Sequence, residues 1–113
     1  MRSETLRRPT YFILAALLEG PLHGYGIIKR VEGLADGELR LRAGTLYAAL
    51  DRLADQGLVI PEREEVVSGR LRRYYRLTPE GGTILAAEAA QLRQAADVVL
   101  SNAHLPALST RTA

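Results

Sequence analysis

Residues 68–76 hold Arg70, Arg72, Arg73 and Arg76 with no acid, a local charge of +4. Just before them, Glu62, Arg63, Glu64 and Glu65 sum to −2. A guanidinium is a planar fork of donors that pairs bidentately with phosphate or with the guanine edge, which an ammonium cannot do. Fourteen of the fifteen basic residues in this 113-residue chain are Arg, although the net charge is only +2. Codon bias explains such a total equally well, so position along the chain decides. Other chemistries are poorly supplied. There is no Cys, and His23 and His104 stand far apart, which excludes a thiolate centre and argues against a histidine metal cluster. No nucleophile has a base partner and no Gly-rich loop is spaced to cradle a nucleotide phosphate, so neither an enzyme nor a cofactor is expected.

The elements that must position these residues follow from periodicity and punctuation. Residues 1–9 read as a basic arm carrying Arg2, Arg7 and Arg8. From Thr10, the apolar residues Ile13, Leu14, Leu17 and Leu18 mark a helix that Gly20-Pro21 ends. A second helix is expected from His23 to Leu34, with Ile27, Ile28, Val31 and Leu34 inward. The alternation Leu39-Arg40-Leu41-Arg42 predicts a short half-buried strand. A third helix begins near Gly44-Thr45, buries Leu46, Ala49, Leu50 and Leu53, and ends at Gly57 in a left-handed cap. Leu58-Val59-Ile60 reads as a strand, 61–69 as a polar stretch with a turn at Ser68-Gly69, and Leu71–Leu77 as the returning strand. Thr78-Pro79-Glu80 starts a last helix: a hydroxyl cap, Pro at the first position and an acid at the positive dipole end. That helix is expected over 79–103, with residues 104–113 a flexible tail. The fold class is α+β, mainly α: a winged helix-turn-helix over residues 10–78 followed by a long C-terminal dimerisation helix.

Within that layout the third helix turns Thr45, Ala48 and Arg52 outward, with Tyr47 at the edge. Small or polar residues there let the backbone approach base edges, whereas a merely solvated face would look similar. Asp51 and Asp55 stand close enough to neutralise Arg52. On the returning strand Arg72, Tyr74 and Arg76 share one face, and Leu71, Arg73, Tyr75 and Leu77 the other. Arg70, Arg72 and Arg73 are the candidates for duplex phosphates or the minor groove, ahead of Arg76. Arg42, just before the third helix, is a further phosphate candidate. On the last helix Leu85, Leu92 and Val99 recur every seven residues beside Ala89, Ala95 and Ala96. That stripe is long for so small a domain to cover, so a second chain is expected against it, with packing on its own domain as the alternative.

Three stretches, GPLHGYGI at 20–27, GTLYAALDRLADQGLV at 44–59 and GRLRRYYRLTPEG at 69–81, resemble the PadR family of bacterial transcriptional regulators. The resemblance runs in order over about residues 10–90, and the single C-terminal helix is similar to the compact members. It implies a homodimeric, sequence-specific DNA-binding repressor relieved by a small-molecule effector. It also implies that Thr45 and Tyr47, within the matching GTLY motif, face DNA. By the same resemblance the second helix lies over the DNA backbone, where Tyr25 would donate to a phosphate; His23 beside it reads equally as a cap. Tyr11 and Phe12, near Leu92 and Ala96, are the effector-pocket candidates, since the first and last helices of both subunits of compact members meet there. An ordinary core role for Phe12 competes with this.

A two-fold dimer would set its recognition helices roughly 34 Å apart, matching major grooves one turn apart and a pseudo-palindromic operator. The competing function is a winged-helix module that binds another protein and no DNA, a reading kept open by Asp51 and Asp55. No apolar run approaches the length of a membrane span and residues 1–20 lack the pattern of a secretory signal, so the cytoplasm is the expected location.

Overall fold

A computed structural model describes residues 6–102. Its elements are α1 (Arg8–Ala16), β1 (Leu22–His23), α2 (Gly24–Leu34), α3 (Ala43–Asp55), β2 (Val59–Val67), β3 (Arg70–Leu77) and α4 (Pro79–Leu100). Apolar spacing builds the centre: Ile13 and Leu14 of α1, Ile27 and Val31 of α2, and Leu46, Leu50 and Leu53 of α3 are essentially fully buried together. Each such side chain stabilises the fold by about 1.5–3 kcal/mol relative to exposure. Tyr75 of β3 and Leu85 of α4 close the same core. This is a winged helix-turn-helix with a long C-terminal helix.

Several features differ from the sequence expectation. Leu39–Arg42 forms no strand. The alternation is real, since Leu41 is buried and Arg40 and Arg42 are exposed, but the segment joins no sheet. The segment instead bridges α2 and α3 in extended form, its leucines packed on the core. The third strand of the sheet is Leu22–His23, pairing antiparallel with Tyr75 and Tyr74. Leu34, expected inward, is 46% exposed because the next residue, Ala35, takes the buried position as the chain leaves the helix.

The sheet order is β1-β3-β2, all antiparallel. β2 does not stop at Ile60 but runs through the charged stretch to Val67, with a register shift between Pro61 and Arg63. At the tip Ser68 and Gly69 both have positive φ, 53° and 77°, the signature of a two-residue primed turn that matches strand twist. Because β1 spans only two residues, the edge of β3 over Arg70–Arg73 has no strand beside it among the described residues.

α4 is fixed at its start. Thr78 Oγ1 accepts from Gly81 N at 3.0 Å and donates to the Gly57 carbonyl at 2.7 Å. Gly81 is buried against the backbone just before β2, where a methyl group would overlap the Leu58 carbonyl oxygen. Leu85 lies in the chain's own core, which removes it from the expected dimer seam, and Ala89 is half-buried. Beyond that point Leu92, Ala96 and Val99 of α4 are exposed.

Candidate nucleic-acid interface

The N-terminal turn of α2, Tyr47 of α3 and the open edge of β3 enclose a groove of about 360 Å³. It is lined by His23, Gly24 and Tyr25 at the start of α2, by Tyr47 of α3, and by Arg70, Leu71, Arg72 and Arg73 along the wing. Gly24 is what admits Tyr47, because a methyl group there would collide with the phenol. Five of the expected contact residues, Tyr25, Tyr47, Arg70, Arg72 and Arg73, thus converge on one recess. Thr45, Ala48 and Arg52 lie outside it, exposed along α3, and Arg42 is exposed at the helix N-cap. Arg52 forms no ion pair with Asp51 or Asp55.

The wing is less basic than its own strand. Arg73 donates through Nε to Glu64 at 3.1 Å, and the Arg76 guanidinium lies 3.2 Å from Glu62. The Glu64 hydrogen bond holds the Arg73 guanidinium above its usual pKa. Arg63 stacks 4.0 Å over the Tyr74 ring, and the Tyr74 hydroxyl donates to Glu65 at 2.9 Å. That hydrogen bond raises the Tyr74 pKa. Among the described residues Arg70 and Arg72 are the wing-tip cations with no carboxylate partner. The expected local +4 therefore narrows to two guanidiniums without a carboxylate partner, both lining the groove.

His23 is the residue that sequence reasoning left out of the site. It caps α2, with Nδ1 accepting from Gly26 N at 3.3 Å, and its Nε2 lies 3.0 Å from Arg72 Nη1. Tyr74 meets the same ring edge-on at 5.2 Å. Burial, then the nearby Arg72 charge, lowers the His23 pKa from its usual value, with Glu65 pulling the other way. Tyr11 and Phe12 are half-buried on α1 with rings 5.5 Å apart, edge to face.

An arginine-edged groove beside an exposed helix is an arrangement able to meet phosphates, and comparison with known proteins places the fold. Residues 13–87 match the transcriptional regulator PadR-like family. The chain belongs to that family. The match of this PadR-like protein runs from the second half of α1 to the first turns of α4 and stops short of the exposed end of that helix. It is 40% identical over 91 residues to an uncharacterized 37.1 kDa protein in a transposon of Streptomyces fradiae, covering 80% of this chain but 25% of that protein. It is 44% identical over 61 residues to a transcriptional regulator of Mycobacterium tuberculosis, covering 54% of this chain and 56% of the relative. A PadR family transcription regulator of Clostridium difficile superposes with a TM-score of 0.68 at 30% identity, covering 81% of this chain and 94% of that one. Bacillus subtilis PadR, solved in complex with operator DNA, superposes with a TM-score of 0.63 at 26% identity, covering 72% and 47%. Among the described residues no helix is long and apolar enough to cross a membrane.

Proposed function

We propose that this PadR-like protein is a homodimeric, sequence-specific repressor that binds a pseudo-palindromic operator in the cytoplasm and is released by a small-molecule effector. The observation that carries the reading is the groove, where Arg70 and Arg72 stand free of carboxylates beside Tyr25 and Tyr47. Likeness to Bacillus subtilis PadR, which binds operator DNA, supports it. In this reading the exposed side of α3 enters the major groove, with Thr45, Tyr47, Ala48 and Arg52 toward base edges. Tyr25, Arg42, Arg70, Arg72 and Arg73 contact phosphates and set the register without reading sequence. The exposed residues Leu92, Ala96 and Val99, with Ala89 at their edge, meet the same stripe of a second chain. Tyr11 and Phe12 together with the Leu92–Ala96 stripe would wall an effector pocket in that dimer.

The test is the salt dependence of affinity for a duplex selected from random sequence. Log affinity should fall linearly with log salt, and Arg72→Ala should weaken binding to many sequences and flatten the slope by about one unit. An unchanged slope removes Arg72 from the interface. No binding at low salt would favour the protein-binding module instead.

A further inference from the structure

His23 stands between two donors. Gly26 N–H points at Nδ1 from 3.3 Å and the Arg72 guanidinium at Nε2 from 3.0 Å. A neutral imidazole has one lone pair to give, because its other nitrogen carries a proton. Peptide N–H and guanidinium are donors only, so a single ring satisfies one of them at a time. We propose that His23 is a positioning residue for Arg72, holding the guanidinium against its ring in the free protein and yielding it to a phosphate when a duplex enters the groove. This rests on the duplex-binding reading above. In the bound arrangement the Nε2 proton, exchanged through water, faces the phosphate beside Arg72, while Nδ1 caps α2 in the neutral ring and trades that long 3.3 Å contact for a proton in the imidazolium. In the neutral ring both donors then have an acceptor of their own.

The groups facing the ring fix the sign of a pH effect. Arg72 and Tyr74 face it from β3 and Glu65 from β2, while Arg70 and Arg73 of β3, Tyr25 of α2 and Tyr47 of α3 line the groove with it. In the free protein, burial and the Arg72 charge disfavour the imidazolium. A phosphate that neutralises Arg72 and adds negative charge favours it, so binding takes up a proton. Affinity therefore rises as pH falls, by up to about tenfold for each unit by which the bound pKa exceeds the free one.

The discriminating variant is His23→Asn. Asn is among the best N-caps, so α2 keeps its cap, but the side chain is too short to hold Arg72. Wild-type protein should bind a duplex selected from random sequence more tightly at pH 5.5 than at pH 7.5. His23→Asn should flatten that profile, and His104→Asn should leave it as it is. In the free protein, the His23 titration followed by NMR should move upward in Arg72→Ala. A wild type that binds DNA with a flat profile, a His23→Asn variant that keeps the slope, or a His23 titration indifferent to Arg72→Ala overturns the proposal. Failure of the wild type to bind any duplex at low salt strikes the duplex reading itself, and the NMR result still separates the two.

Discussion

Glu64 decides how much of the wing's charge is available. It holds Arg73 through both Nε and Nη2, at 3.1 and 3.0 Å, on the face that also carries Leu71 and Tyr75. If the wing grips phosphates, Glu64 competes with DNA for that guanidinium. Exposed pairs of this kind are weak, so Glu64→Gln should tighten duplex binding by about twofold to fivefold, and Arg73→Ala should cost more in that background than in the wild type. Titration of both single variants and the double variant checks it; equal costs in the two backgrounds would mean Arg73 does not reach DNA. The arginines were legible in sequence because residue type and local charge are one-dimensional facts. Their partners were not, because pairing Arg73 with Glu64 requires β2 to run on to the Ser68-Gly69 turn, and 61–69 reads in sequence as a polar stretch rather than a strand. His23 was legible as a cap from its place before a helix. Its contact with Arg72 depends on a two-residue strand that carries no periodic signal.

The elements hold together where α4 leaves the wing. Gly81 abuts the Leu58 carbonyl oxygen, whereas Gly82, one position on, has only Leu77 at ordinary contact distance. Gly81→Ala should therefore destabilise by about 1–3 kcal/mol through overpacking against rigid backbone. Gly82→Ala should be neutral or stabilising by up to about 1 kcal/mol, as expected for an accommodated Gly in a helix. Urea titrations with an unchanged m-value would measure both. A Gly81→Ala protein as stable as wild type would contradict the packing described. At this scale, helices with a buried stripe, the cap at Thr78 and the turn at Ser68-Gly69 were readable from the chain. What misled was short range: four alternating residues at Leu39–Arg42 mimic a strand although they join no sheet. β2 was cut short for the opposite reason, since Glu62–Glu65 have both faces exposed and show no alternation.

For the whole molecule, the unfinished surface is the far end of α4. Leu92, Val98, Val99 and Leu100 are 49%, 61%, 53% and 74% exposed, an apolar run that the chain's own domain does not reach. The seven-residue spacing anticipated such a stripe but assigned Leu85 to it as well; that residue is taken by the core. A partner helix is therefore expected from Ala89 outward. Leu92→Asp should convert a dimer to monomers, since a charge buried in such a seam lacks a partner. The most direct measurement of the account is sedimentation of the protein with a duplex recovered by selection. The account predicts a complex whose mass is that of the duplex plus two 12.4 kDa chains, lost in Leu92→Asp and weakened by salt. Wild-type protein that sediments apart from every duplex at low salt, or binds as a single chain with Leu92→Asp indistinguishable from it, would contradict the account.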